Sequence, residues 1–128
     1  VAPDGSQVVV ADGFPGRAAT IHVLSAFSGR QQWSWSAHED TIPDLRFSPS
    51  GKWLASAGAD HQVKVWETGE WNQVAKLEGH GDFVQAVAFR KDKDQLLSAG
   101  SDKDVKVWDV KTREQLKNNR YDKEYTSI

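Results

Sequence analysis

Apolar and polar residues alternate along this chain in short runs, which are separated by residues typical of turns. The runs with the pattern of β-strands are 45–47, 53–57, 63–66, 73–77, 84–89, 95–99, 105–110 and 114–117. Ser-Pro-Ser-Gly at 48–51 and Thr-Gly-Glu at 68–70 have the composition of turns between such strands. Helix propensity alone would allow a helix over 111–124. That segment lacks a continuous apolar stripe, and its place in the pattern favours a strand.

The chain repeats itself at an interval of 42 residues. Residues 54–66 and 96–108 are identical at nine of 13 positions, and the same offset relates His38 to His80. A weaker copy opens the chain at residues 3–24 and carries a short insertion. Repetition at a fixed period of this length indicates that each repeat is one supersecondary unit stacked on its neighbours.

Each repeat holds four short strands, and such a unit cannot bury both faces of its sheet alone. Stacking the units radially buries these faces, which predicts an all-β fold of β-propeller blades with four antiparallel strands each. The chain length corresponds to about three blades, which make an incomplete ring. We expect a blade remnant at 1–36, blades at 37–78 and 79–120, and the start of a further blade at 121–128.

The composition argues against several kinds of site. Lys and Arg number 16 against 18 Asp and Glu, so there is no basic excess for nucleic acid, and none is expected as a partner. The absence of cysteine excludes disulfides, thiolate metal sites and cysteine nucleophiles, and leaves the compartment open. No apolar run approaches the ~18 residues of a membrane span, so no membrane partner is expected. The histidines lack metal-ligand spacing, and no cofactor is expected.

A set of one histidine, one serine, one aspartate and one tryptophan occurs twice at the same offset. The two sets are His38, Ser56, Asp60 and Trp66, and His80, Ser98, Asp102 and Trp108. With Gly79 before the second histidine and Val107-Trp108-Asp109 closing a strand, the pattern resembles the WD-repeat β-propeller family. The resemblance covers essentially the whole chain. It is degenerate in the first repeat, where Leu24 replaces the tryptophan and Val10 the serine.

The resemblance implies that each set forms a buried, structural hydrogen-bond chain. A buried tryptophan needs an acceptor for its indole N–H, and a serine hydroxyl can supply one while donating to the histidine. Ser, His and Asp are also the parts of a hydrolase triad. The set occurs twice, however, and its serines lie in alternating strands rather than on a strand-to-helix turn. We therefore expect no catalytic residue in this chain.

Both ends of the chain fall within predicted inner strands. Val1 to Gly5 correspond to residues 47–51, and residues 125–128 resemble 84–87. Two explanations are open. The chain is a piece of a longer propeller that supplies further blades, or copies of it associate to complete a ring.

The function expected from the resemblance is that of a non-catalytic scaffold that binds a protein or peptide. The alternative is the propeller part of a larger enzyme or sensor, fused to a redox or kinase-type domain. The histidine loops and aspartate turns should lie on one face of the ring. This face has more acidic than basic residues, and the acidic ones include Asp104, Asp122 and Glu124. Such a face would favour a basic or neutral partner. The candidate partner-binding residues are Phe14, Arg17, Asp40, Thr41, His61, Asp82, Phe83 and Lys103.

Two alternatives concern exposed aromatic residues. Phe14 and Phe83 either anchor a partner or fold back onto the blade tops. Trp33 and Trp35 share one face of a predicted strand, where they either pack between blades or form an exposed patch.

Overall fold

The computed structural model describes residues 1–91 and 94–120, and these form eleven β-strands and no helix. The strands are β1 Gln7–Asp12, β2 Ala19–Ser25, β3 Gln31–His38, β4 Asp44–Phe47, β5 Trp53–Ala57, β6 Gln62–Glu67, β7 Gln73–Glu78, β8 Val84–Phe89, β9 Gln95–Gly100, β10 Asp104–Asp109 and β11 Gln115–Arg120. The predicted start of a further blade at 121–128 lies outside the described residues. No helix in the described part of the chain could span a membrane.

The strands form three sheets in which chain neighbours pair antiparallel. The first sheet has the order β1-β2-β3, the second β4-β5-β6-β7 and the third β8-β9-β10-β11. The predicted all-β fold with four-stranded antiparallel blades is therefore confirmed. The last strand differs from its prediction because β11 runs over Gln115–Arg120, beyond residues 114–117.

The second and third sheets share details of backbone geometry. The pairing of β6 with β7 shifts register between Val65 and Trp66, and that of β10 with β11 shifts between Val107 and Trp108. His61 and Lys103 have positive φ values of 74° and 67° at equivalent turns. The repeated sequence thus specifies the same bulge and the same turn in both sheets.

The core lies between the sheets, because each strand sends alternate side chains to opposite neighbours. Leu54 and Trp66 of the second sheet pack against Ile21 of the first. Ala55 and Val63, which point the other way, belong to the cluster shared with the third sheet. Each sheet therefore depends on its neighbour to cover one apolar face.

Trp33 and Trp35 have different environments although they lie on the same strand. The Trp35 ring stacks on Trp71 with centroids 5.5 Å apart and lies 5.2 Å from the ring of Trp66. Trp33 is 44% exposed. The buried indole N–H groups of Trp35 and Trp71 have no hydrogen-bond partner among the described residues, so apolar burial and ring stacking hold this cluster. One tryptophan thus packs between sheets and the other is available at the surface.

Trp35→Ala should lower the free energy of unfolding by about 3–5 kcal/mol, because it opens a cavity between the first two sheets. Trp33→Ala is the matched control, and it should cost clearly less because its ring is already 44% exposed. Urea denaturation of both variants measures the difference. Equal losses would contradict the assignment of Trp35 as the inter-sheet residue.

Candidate functional site

A continuous hydrogen-bond chain runs through the third sheet. The Trp108 indole N–H donates to Ser98 Oγ at 2.8 Å, and Ser98 Oγ lies 2.7 Å from His80 Nε2. The other ring nitrogen, Nδ1, lies 2.9 Å from a carboxylate oxygen of Asp102. The imidazole is 0% exposed and the aspartate side chain 9% exposed. This hydrogen-bond chain thus links the buried Trp108 to Asp102 in the turn between β9 and β10.

The second sheet contains the same arrangement. Trp66 donates to Ser56 Oγ at 3.0 Å, Ser56 Oγ lies 2.7 Å from His38 Nε2, and His38 Nδ1 lies 3.0 Å from Asp60. A neutral imidazole with its proton on Nδ1 satisfies every group, since Nε2 then accepts from the serine. Ser56 and Ser98 are fully buried, so neither hydroxyl is placed to reach a substrate.

The turn aspartates also hold the loops around them. Asp102 accepts backbone N–H groups of Gly81 at 2.9 Å and Asp104 at 3.1 Å. Asp60 does the same for Glu39 and Gln62, at 3.0 Å and 3.2 Å. Each carboxylate therefore fixes its own turn and the loop that enters from the preceding sheet.

Gly100 contributes to the site, although its role could not be read from residue chemistry. A Cβ at this position would lie 2.7 Å from Asp102 Oδ1 and 2.8 Å from His80 Nδ1. The histidine and aspartate can meet only because this strand end lacks a side chain. The repetition of glycine at Gly58 was the available sequence signal.

The resolved pKa shifts in the two hydrogen-bond chains concern His80 and Asp60. Burial lowers the pKa of His80 and outweighs the opposing influence of Asp102. Burial by itself would raise the pKa of Asp60. The hydrogen bond and charge of His38 and the backbone N–H donors hold that pKa below its usual value.

The first sheet has no such chain among its described residues, and an exposed contact joins its strands instead. His22 Nε2 lies 2.7 Å from Asp12 Oδ2, and His22 Nδ1 lies 2.8 Å from Gln31 Oε1. These three residues belong to β1, β2 and β3. The hydrogen bond to Asp12, followed by that to Gln31, raises the pKa of His22.

The loops and turns at this end of the strands form one surface, which we call the loop face. It comprises residues 13–18, 39–43, 58–61, 80–83 and 101–103. Phe14 is 72% exposed on the loop between β1 and β2, and Arg17 is exposed beside it. Asp40 Oδ1 accepts the backbone N–H of Gly16 at 3.0 Å and that of Thr41 at 2.7 Å. Asp40 thus helps to hold the Phe14 loop, and the Thr41 N–H helps to fix the Asp40 carboxylate.

Phe83 lies at the junction of the second and third sheets on the loop face. It is 45% exposed, and its ring centroid is 6.2 Å from that of His61. Its carbonyl accepts the Ser101 N–H at 2.8 Å, and its N–H donates to Asp82 Oδ1 at 2.8 Å. These bonds hold the backbone at Phe83, while its ring contacts His61 on one side and stays partly exposed. Lys103 is exposed on the neighbouring turn.

The charge of the loop face is less acidic than the sequence suggested. Asp104 is buried and pairs with Arg120 Nε at 2.8 Å, and this bond holds the pKa of the carboxyl below its usual range. Asp122 and Glu124 lie outside the described residues. Asp104 therefore does not count among the exposed acidic residues of this face, because Arg120 neutralises its charge.

Neither the clefts nor the metal-ligand candidates point to another site. A cleft of about 700 Å³ lies along the inner strands β4 and β8 and contains none of the predicted site residues. Among the described residues, no group of three or more His, Asp or Glu side chains could hold a metal ion.

His80→Ala should destabilise the fold by about 1–3 kcal/mol, because it removes the acceptor of the buried Ser98 hydroxyl and one hydrogen-bond donor to Asp102. The same change at His38 should cost a similar amount. His61→Ala is the control, since His61 is exposed, and its effect should stay within about 0.5 kcal/mol. Chemical denaturation compares the three. A His80 variant as stable as the His61 variant would contradict the structural role of the chain.

The contact between His22 and Asp12 should make the stability of the first sheet depend on pH. A raised pKa means that the contribution of His22 is complete below its ordinary value of 6.5 and is lost as pH rises through the raised pKa. Asp12, with a lowered pKa, contributes above its ordinary 3.8 and loses this as pH falls through the lowered pKa. An NMR titration of His22 should give a pKa above 6.5 that falls in Asp12→Asn. An unchanged titration in that variant would refute the contact.

Comparison with known proteins gives matches in sequence and in structure. The model of the WD domain, G-beta repeat, matches residues 29–67 and 71–109. Protein hir1 of Emericella nidulans is 43% identical over 68 residues, which are 49% of this chain and 6% of that protein. Protein HIR1 of Phaeosphaeria nodorum is 36% identical over 93 residues, 62% of this chain and 9% of that protein. The chain therefore spans a small part of these relatives.

Solved structures resemble this one over nearly its full length. The crystal structure of RRP9 WD40 repeats and the structure of U3-55K both give a TM-score of 0.88 at 27% identity, covering 97% of this chain and 38% of theirs. The repeat model covers more than half of the polypeptide. Its two matches contain all the residues of both hydrogen-bond chains. The chain belongs to the WD domain, G-beta repeat, family.

Proposed function

We propose that this chain is part of a non-catalytic scaffold that binds a protein or peptide through the loop face. WD-repeat proteins are typically interaction scaffolds, which supports the general role. The observation that carries the specific proposal is the presentation of two exposed phenylalanines, Phe14 and Phe83, on hydrogen-bonded loops. Aromatic side chains on a rigid support bind with little loss of conformational freedom and supply much of the energy of interfaces.

The two phenylalanines are held by different means. Phe83 sits above the junction of two sheets, where its backbone bonds to Ser101 and Asp82. Phe14 projects from a loop whose Gly16 N–H is bound by Asp40. Asp40 therefore acts in binding as a positioning residue, and Phe14 and Phe83 act as the anchors.

The chemistry of the surroundings suggests the kind of partner. Glu39 and Asp82 are exposed acids on the loop face, whereas Arg17 and Lys103 are exposed bases. Asp82 is adjacent to Phe83, so a partner that places an apolar side chain on this ring can place a basic one beside it. We infer a neutral or basic segment with at least one apolar side chain.

No catalytic step is assigned to the described residues. The serines that lie beside histidines, Ser56 and Ser98, are fully buried, and their hydrogen bonds to histidine and tryptophan are satisfied within the core. This supports a binding role over a hydrolytic one.

Phe83→Ala and Phe14→Ala should each weaken the binding of a partner by about 1–2 kcal/mol without lowering the melting temperature. The partner would be captured from the source organism with the full-length protein and then titrated against purified variants. Phe27→Ala is a matched control, because Phe27 is 88% exposed on the turn between β2 and β3 at the opposite end of the strands.

A second control is Lys52→Glu, which changes an exposed charge on the opposite face. If Phe27→Ala or Lys52→Glu weakened binding while both loop-face variants bound normally, the binding surface would be the opposite face and the proposal would be wrong.

A further inference from the structure

The outer strands of the three sheets, β3, β7 and β11, differ in how their free edges are protected. A strand at the edge of a sheet exposes unpaired backbone groups, and charged side chains commonly prevent it from pairing with another chain. β7 carries Lys76 and Glu78, and β11 carries Lys117 and Arg120. β3 has the sequence QQWSWSAH and contains no Lys, Arg, Asp or Glu. The first sheet therefore lacks the protection that the other two possess.

The backbone of β3 is also available. The strand has eight residues, whereas β7 and β11 have six each. Among the described residues, the backbone of residues 32–36 has hydrogen-bond partners only in β2. About half of the backbone groups of an edge strand point away from its sheet. β3 thus offers an extended row of donors and acceptors.

Trp33 adds an apolar side chain to this edge. It pairs with Val23 in the first sheet, as Ala75 pairs with Val65 and Lys117 with Val107 in the other two. The register position that holds a lysine in β11 therefore holds a tryptophan in β3, and this ring is 44% exposed. Trp35, two residues further on, is fixed by stacking on Trp71.

A strand that pairs with β3 needs an extended backbone and apolar side chains at alternate positions. It needs no charged residues, because β3 has none for them to pair with. The sequence of β3 meets these conditions itself. Antiparallel pairing with its own copy brings no like charges together, and a two-fold axis at Ser34 would set Trp33 of each copy opposite Trp35 of the other.

We propose that β3 is a self-association edge, at which two copies of this chain join their first sheets into one continuous antiparallel sheet. Pairing of a single short strand buries less surface than the roughly 1,200–2,000 Å² of stable complexes, so the dimer is weak and concentration-dependent. The loop face is not used, and this association is therefore independent of the proposed partner binding.

The absence of cysteine from the chain allows a direct test by disulfide cross-linking. Ser34→Cys places a single thiol at the centre of β3. Asn118→Cys is the matched control, because Asn118 pairs with Lys106 in β11 as Ser34 pairs with His22 in the first sheet. Under mild oxidation over a range of protein concentrations, the Ser34 variant should form covalent dimers and the Asn118 variant should not.

The charge of the edge is tested in the Ser34→Cys background. Trp33→Lys gives β3 the residue that β11 has at this position, and it should slow cross-linking at least about tenfold. Gln32→Lys adds a charge at an exposed position of the same edge and should also slow cross-linking. It replaces Trp33→Lys in the test if circular dichroism shows that Trp33→Lys is poorly folded. Equal cross-linking of Ser34→Cys and Asn118→Cys, or cross-linking that a folded lysine variant leaves unchanged, would overturn the proposal.

Discussion

The hydrogen bond between a buried imidazole and a turn aspartate connects the core of this molecule to its surface loops. His80 lies between Ser98 and Asp102, and the carboxylate of Asp102 in turn binds the backbone of two loops. The orientation of the loops is therefore set by groups that are themselves fixed by packing between sheets. Breaking this bond would leave polar groups unsatisfied in the interior and would release the loops at the same time.

The first sheet shows what happens where this bond is replaced. Leu24 and Val10 occupy the positions of the tryptophan and serine, and the contact between His22 and Asp12 forms at the surface instead. Its long loop is held from outside, by Asp40 of the following segment. Its outer strand also carries Trp33 where the third sheet has Lys117. The degenerate repeat thus supplies the features that distinguish one side of the molecule from the others.

Much of this architecture could be predicted because repetition reveals it. The 42-residue offset located the strands of the second and third sheets and the residues of both hydrogen-bond chains. The different environments of Trp33 and Trp35 could not be predicted, because both occupy apolar positions on the same face of the strand. Only the position of Trp71, which stacks on Trp35, distinguishes them. The burial of Asp104 depends on Arg120, and the role of Asp40 depends on the path of a loop 24 residues earlier. Contacts of this kind require the folded chain.

The most direct test of the account is the protonation state of His80, because the whole arrangement requires a neutral ring with its proton on Nδ1. Nitrogen-15 NMR of the imidazole distinguishes the two tautomers and the charged form. We expect one neutral Nδ1–H tautomer, with a ring pKa that burial holds below its ordinary value of 6.5. A proton on Nε2, or a titration near the ordinary value of 6.5, would contradict it.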